Sequence, residues 1–189
     1  MNQDGYKIRN KAEVHFLSFA VVVPIAIERV DVFTRKEYRD ILIDSLRFCQ
    51  EWKGLLLHGW CIMSSHVHLL ASSLIHDLSG TLRDFKKFTG KKVIEAIINN
   101  PAESRKEWML HIFKDAGEAN SRNTNYQFWR QDNQPKECYS PAFTVQKLNY
   151  IHNNPVEAGI VDKAEEYIYS SARDYYYQKN CGLLNVAFI

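Results

Sequence analysis

Two periodicities of the hydrophobic positions divide the start of the chain into a strand and a helix. Residues 14–23 are rich in Val and Phe, which is typical of a strand buried on one or both faces, and Pro24 is expected to end it. Residues 34–52 instead carry apolar side chains at the spacing of one helical face. Thr34, with Glu37 three residues later, matches the capping-box pattern, so Thr34 is the predicted N-cap of this helix.

The pattern returns to that of strands after Gly54. Residues 55–63 predict a second strand, and Ser64 and Ser65 form a tight connection into a third strand over residues 66–72. The two strands are expected to pair as an antiparallel hairpin. A strand, a helix and two strands make half of a ferredoxin-like α+β fold, in which helices pack on one face of an antiparallel sheet.

Helical spacing resumes in residues 77–99, with Ser79 or Thr81 as the predicted N-cap. The predicted core positions of this helix are Leu78, Leu82, Phe85, Ile94 and Ile97. Residues 102–114 predict a shorter helix, and the aromatic residues 126–129 predict a final short strand added to the sheet.

The last long helix has the clearest predicted start. Ser140 is a good N-cap residue, and Pro141 suits the first helical position. Val145, Leu148 and Ile151 recur every third residue and form the predicted buried stripe.

Composition places the chain among ordinary soluble domains. Its 189 residues predict a single domain, and 46% hydrophobic with 24% charged residues is a usual balance. The net charge of +2 is too small to indicate a nucleic-acid partner, so a basic surface has to be local. The four cysteines are widely spaced, which favours reduced thiols in a cytoplasmic protein. Residues 16–27 are apolar but too short to cross a bilayer, so no membrane association is expected.

A local basic surface is found on the helix predicted over residues 77–99. Its cationic side chains are Arg83, Lys86, Lys87, Lys91 and Lys92. A solvated helix face is the ordinary explanation of such a run. Because Phe85 and Phe88 are interleaved with the lysines, a groove that binds a phosphate backbone is an equal competitor.

The candidate chemistry starts with two histidines. His66 and His68 are two residues apart in a predicted strand, so both side chains should lie on the same face. Two adjacent neutral imidazoles can provide half of a divalent metal site, and a third ligand must come from elsewhere. The alternative is that each is an ordinary, partly buried histidine.

Tyr150 is the candidate nucleophile. It lies about 100° around the helix axis from Ile151, off the buried stripe, in a row with Gln146 and Asn154. An activated phenol can attack an electrophile, and an amide oxygen suits a hard divalent ion. The alternatives are a tyrosine at the edge of the core and an Asn154 that caps a helix ended or kinked by Pro155.

Several motifs together resemble the single-tyrosine transposases of the HUH nuclease superfamily, especially the branch of the REP-associated tyrosine transposases. They are CIMSSHVHLL at 61–70, FKKF at 85–88, FW at 128–129, YIHNNPVEAGI at 150–160 and YIYSSA at 167–172. The resemblance covers about residues 14–176, taken as the core of the predicted domain 1–189. Many members carry Pro-Asn where this chain has Ser64 and Ser65, but neither position is a metal ligand in the family.

The resemblance implies a ferredoxin-like enzyme that cleaves and rejoins single-stranded DNA during transposition. Tyr150 matches the nucleophile that forms a 5′-phosphotyrosine intermediate. His66, His68 and Asn154 match the ligands of a divalent metal, Mg²⁺ or Mn²⁺, with Asn153 as a second choice for the amide.

Other expectations concern the partners and the rival functions. Phosphate contacts are expected from the basic helix, and stacking on unpaired bases from Phe88 and Trp129. A hairpin-bearing single strand is the expected substrate. Dimers are common in the family, although no sequence feature here requires one. The rivals are a catalytically silent DNA-binding relative and a small-molecule metalloenzyme, which would need a third His or a carboxylate beside the pair.

Overall fold

An antiparallel sheet forms the centre of the fold. The computed structural model describes residues 8, 13–23, 29–120, 125–131 and 135–189. In these ranges the strands are β1 (His15–Ala20), β2 (Leu55–Ile62), β3 (His66–Ser73) and β4 (Lys136–Glu137), in the spatial order β2-β3-β1-β4. All neighbours pair antiparallel, and β2 and β3 form the predicted hairpin. The strand order confirms the predicted ferredoxin-like α+β class.

Helices cover the sheet. The α-helices of the described ranges are α1 (Lys36–Trp52), α2 (Leu78–Asn99), α3 (Lys106–Glu118), α4 (Pro141–Glu157) and α5 (Ala172–Tyr177), with short 3₁₀ turns at Val32–Thr34 and Ala164–Glu166. None of the described helices is both long and apolar enough to cross a membrane. The four cysteines are free thiols, three of them buried.

The two sheet faces carry different helices. Phe19 of β1 packs against Phe85 of α2, with ring centroids 6.2 Å apart. Phe16, on the opposite face of the same strand, meets Tyr150 of α4 at 5.8 Å. The predicted helix layer therefore includes α2, whose predicted core positions are all buried. The late helix α4 lies over the other face, where it packs on β2 and β3.

Two predicted N-caps are wrong, because the Thr34 hydroxyl is bound elsewhere and Asp77 caps α2 instead. The N-cap of α1 is Arg35, which makes no side-chain cap bond, and the Thr34 hydroxyl accepts from Arg105 instead. The cap of α2 is Asp77, whose carboxylate accepts from the Gly80 N–H, rather than Ser79 or Thr81.

The predicted start of α4 is confirmed, but its buried stripe and its end differ. The Ser140 hydroxyl oxygen accepts from the Phe143 N–H. Leu148 and Ile151 are buried as predicted, whereas Val145 is exposed. The helix also continues through Pro155 to Glu157, so of the two predicted effects of this proline, ending or kinking the helix, the first does not occur. Pro155 is buried against the fold, and tertiary packing outweighs the one helical hydrogen bond that proline removes.

The prediction of a short strand at residues 126–129 is also wrong. Only Trp129 forms an isolated bridge, to Val21 at the end of β1. The sheet gains β4 from Lys136–Glu137 instead, which pairs with the start of β1. The first strand is shorter than residues 14–23, and its predicted end at Pro24 lies outside the described residues.

Candidate active site

The two histidines of β3 share one face of the sheet. Their ring centroids are 4.7 Å apart, as the alternation of side chains on a strand requires. Phe16 of the neighbouring strand β1 stacks on His68, with centroids 5.6 Å apart and an interplanar angle of 24°. The pair is therefore oriented by the strand beneath it and by an aromatic neighbour.

Helix α4 brings Tyr150 over this pair. The Tyr150 and His68 rings are 5.3 Å apart, edge to face, and Tyr150 is 42% exposed. The phenol thus lies beside the imidazoles while one side of it remains open to solvent. Both groups belong to the same chain, so a partner subunit is not needed to bring them together.

Asn154 lies one turn beyond Tyr150 and reaches the same histidines. Its Nδ2 is 3.4 Å from Nε2 of His68, and it also opposes the lowering of the pKa of His66. Turning the amide over exchanges its nitrogen and its oxygen, which places an acceptor oxygen at this point. Asn153, the second choice for the amide, is exposed.

Contacts on both sides of Tyr150 hold α4 against the sheet. Leu148 packs so closely over Gly59 of β2 that a Cβ added there would lie 2.6 Å from Leu148 Cδ1. His152 Nε2 lies 2.8 Å from Ser171 Oγ, which also accepts from the Trp60 N–H. Burial lowers the pKa of His152 to about 4, so its imidazole is neutral at neutral pH.

Burial also favours the neutral form of His66 and His68. It lowers the pKa of His68 to about 3, with a smaller contribution from His66. It lowers the pKa of His66 as well, and the charge of Arg29 acts in the same direction. His66 Nδ1 lies 3.1 Å from Ser65 Oγ, and His68 Nδ1 is buried with no hydrogen-bond partner among the described residues.

These donors fit a divalent metal. Two uncharged imidazoles offer nitrogen lone pairs, and an adjacent amide offers an oxygen. The described part of the chain contains no group of three His, Cys, Asp or Glu side chains that could hold a metal. The set of two imidazoles and an amide differs from that of the rival small-molecule metalloenzyme, which requires a third His or a carboxylate.

Two arginines that the sequence analysis did not single out line the cavity in front of the site. This cavity has a volume of about 360 Å³ and is bounded by His66, His68, Tyr150, Arg29 and Arg130. Arg130 follows directly after the FW motif, which was the available signal for it. Arg29 had no such signal, because only the fold brings it beside β3.

Part of the basic surface predicted on α2 borders a groove next to this cavity. The groove, of about 630 Å³, is lined by Lys86, Lys87 and Lys91 together with residues 125–129. Lys86 Nζ donates to the Arg130 carbonyl and so connects the groove with the cavity. These three lysines therefore lie where a phosphate backbone could pass toward Tyr150, and Lys91 also pairs with Glu95 of the same groove, at 3.8 Å.

The other two cations of α2 do not line the groove. Arg83 pairs with Asp84, at 3.3 Å. Lys92 pairs with Glu95, at 2.9 Å. Both pairs are exposed, so for these two side chains the ordinary explanation, a solvated helix face, fits the structure better.

Trp129 does not provide the stacking surface that was predicted for it. It is 6% exposed, its indole N–H donates to Thr89 Oγ1, and it packs edge to face on Phe128. A ring with so little exposed surface offers no open face to a base, so Trp129 contributes to the wall of the groove instead. Phe88 is exposed, but it lines a different groove beside Phe48.

The fold and the site together describe an α+β protein in which a tyrosine on a late helix faces paired histidines on an antiparallel sheet. No protein-family model and no curated protein sequence matches this chain. Among solved structures, the chain is similar to a REP-associated tyrosine transposase bound to a REP hairpin. The TM-score is 0.58, at 14% identity over 94% of this chain and 86% of that chain. At this identity the likeness shows that the two proteins share a fold.

Proposed function

We propose that this protein is a metal-dependent single-stranded DNA endonuclease and strand transferase that acts in DNA transposition. The convergence of Tyr150 with His66, His68 and Asn154 carries the proposal, because these four side chains come from distant parts of the chain. The fold shared with a tyrosine transposase supports it. The hairpin bound by that protein suggests a hairpin-bearing single strand as the substrate of this chain.

The proposed reaction exchanges one phosphoester bond for another. The Tyr150 oxygen attacks the phosphorus, a new bond joins the phenol oxygen to phosphorus, and the bond from phosphorus to the 3′ oxygen breaks. The phenol loses its proton to solvent, and the departing 3′ oxygen takes one up. The products are a 5′-phosphotyrosine and a free 3′-hydroxyl. A second 3′-hydroxyl can later displace Tyr150 without an external source of energy.

The residues around Tyr150 have separate roles in this reaction. His66, His68 and Asn154 would hold Mg²⁺ or Mn²⁺, which when bound would polarise the phosphate and offset its developing charge. Arg29 of the same cavity would bind the phosphate through its positive charge. The lysines of the α2 groove would follow the backbone beyond the cavity, as cations do in proteins that bind single strands.

Trapping the covalent intermediate tests the proposal. Wild-type protein is incubated with hairpin-bearing single strands and Mg²⁺ or Mn²⁺, and a protein–DNA species that survives denaturation is sought. The wild type should form this species, Tyr150→Phe should bind the DNA without forming it, and a chelator should abolish it. Tyr176→Phe is the matched control, since Tyr176 is an exposed tyrosine on α5.

Each result has a defined meaning. If Tyr150→Phe forms the covalent species as the wild type does, Tyr150 is not the nucleophile. If the wild type binds the hairpin strand but yields no covalent species with either metal, the protein is a catalytically silent DNA-binding relative. All four side chains of the proposed centre come from one chain. The possible homodimer stays a prediction, and measuring the mass of the protein in solution would test it.

A further inference from the structure

The face of α4 that carries Tyr150 continues toward the start of the helix with two further side chains. Phe143, Lys147 and Tyr150 are spaced four and three residues apart, so they share one helix face. Tyr139, just before the helix, stacks on Phe143 with ring centroids 4.9 Å apart and an interplanar angle of 15°. Tyr139 is 76% exposed, which leaves the outer face of this stacked pair open.

Lys147 joins the stacked pair to the candidate nucleophile. Its Nζ lies 5.0 Å from the ring centroid of Phe143, 5.2 Å from that of Phe16 and 5.8 Å from that of Tyr150. Within the described ranges no carboxylate forms an ion pair with Lys147. Its charge is held by aromatic faces next to the proposed reaction site and remains available to an anion.

We propose that Tyr139, Phe143 and Lys147 form a binding subsite for the unpaired nucleotides next to the cleaved phosphate. This inference rests on the proposed function and adds to it the path that the single strand takes. The open face of the Tyr139–Phe143 stack holds a base, and the Lys147 ammonium contacts a phosphate between that base and Tyr150. Exposed aromatic faces that alternate with cations are the usual binding surface for single-stranded nucleic acid.

The spacing along the helix sets how far the stacked base lies from the reaction. Phe143 precedes Tyr150 by seven residues, or about 10 Å at a rise of about 1.5 Å per residue. Nucleotides stacked at about 3.4 Å cover that distance in about three steps, and fewer if the strand is extended. The Lys147 Nζ lies 5.8 Å from the Tyr150 ring centroid, within reach of a phosphate adjacent to the cleaved one.

The subsite and the cavity flank the reaction site along β1. The cavity with Arg29 borders Ala20 at the end of that strand, whereas Lys147 lies over Phe16 near its start. A hairpin with a single-stranded extension has one part for each side. We therefore place the unpaired extension on the Tyr139 side of the reaction site.

Substitution of the stacked pair tests the subsite. The affinity of Tyr139→Ala is measured by fluorescence anisotropy for a DNA hairpin with oligothymidine extensions and for the same hairpin without them. The substitution should weaken binding of the extended hairpin by about tenfold, the size of one lost base stack, and leave the blunt hairpin unaffected. Tyr176→Ala, in an exposed tyrosine pair on α5, is the matched control and should leave both affinities unchanged.

Substitution of Lys147 tests the phosphate contact. Lys147→Gln should reduce the slope of log affinity against log salt by about 0.7 for the extended hairpin, the value for one phosphate on a single strand. Lys147→Arg should retain the slope. If Lys147→Gln lowered the slope only by removing a structural contact, the positive charge of Lys147→Arg would not restore it. Lys179→Gln, which removes an exposed lysine elsewhere, is the control.

The outcomes separate this inference from the proposed reaction. If the wild type forms the covalent species but Tyr139→Ala and Tyr176→Ala bind the extended hairpin equally well, the subsite is overturned and the reaction stands. If Tyr139→Ala selectively loses the extended hairpin but the covalent species never forms, the reaction fails and the subsite stands. A wild type that binds neither hairpin overturns both. An unchanged salt slope in Lys147→Gln refutes the phosphate contact.

Discussion

Glu103 is a buried charge outside the candidate active site whose removal should destabilise the protein. It lies in the connection between α2 and α3 and is 4% exposed. Its carboxylate is 3.0 Å from Arg105 Nε and 2.7 Å from Arg35 Nε, just before α1. The Tyr38 hydroxyl lies 3.4 Å away. One side chain thus connects the start of α1 with the start of α3, and Glu103→Gln removes its charge with little change of shape.

The pKa of Glu103 sets the size of the expected loss of stability. Hydrogen bonds from Arg105, and then from Arg35, outweigh the cost of burial and lower it from 4.5 to about 2. Each unit is worth about 1.4 kcal/mol, which sets an upper value of about 3 kcal/mol. Because the two arginines are about a third exposed and therefore screened by solvent, we expect about 2 kcal/mol for the loss.

The direction of the pH dependence follows from the same shift. The folded-state pKa is the lower one, so the unfolded chain binds the extra proton as the pH falls. The contribution of Glu103 is complete above about pH 4.5 and is lost progressively toward about pH 2. The stability difference between wild type and Glu103→Gln should fall to about half or less by about pH 3.

Urea unfolding followed by circular dichroism at several pH values measures this difference. Glu51→Gln, which neutralises an exposed carboxylate on α1, is the matched control and should change stability by less than about 0.5 kcal/mol. A loss of below about 0.5 kcal/mol for Glu103→Gln at neutral pH would refute the reasoning. A loss that stays constant down to about pH 3 would refute it equally, because the effect would then not come from the charge.

Further predictions concern the helix that carries Tyr150 and the end of the chain. Gly59→Ala should destabilise the protein by about 1–3 kcal/mol in urea and slow covalent DNA capture, because the added methyl displaces Leu148 and with it α4. The double variant with Leu148→Ala should lose less stability than the two single variants together. Strictly additive losses would contradict a clash between the added methyl and Leu148. Ser140→Ala should lower stability by about 1 kcal/mol through the lost N-cap, while Ser140→Asp should not; equal melting temperatures for the two would contradict this. Asp174 accepts two backbone N–H groups of the next loop, so Asp174→Ala should speed hydrogen exchange of those amides by about tenfold or more, and unchanged exchange would exclude this anchor.

The sequence alone determined the features that depend on neighbours along the chain. The helical period located α1, α2 and α4 to within a few residues, and the β2–β3 hairpin followed from two strands joined by a short connection. Side-chain alternation placed His66 and His68 on one face, because that relation needs only a strand. Ser140 and Pro141 marked the start of α4, since capping is a contact within one turn.

The tertiary structure decided everything that depends on residues far apart in sequence. The distance from Tyr150 to His68 is set by how α4 packs over β2 and β3, and Arg29 enters the cavity through the same packing. Packing also explains where the structure departs from these expectations: Trp129 belongs to the FW motif, yet its burial against Thr89 removes it from the surface, and α4 continues through Pro155. Local rules describe which side chains share a strand or a turn, whereas a reaction site requires surfaces that only the folded sheet and its helices bring into contact.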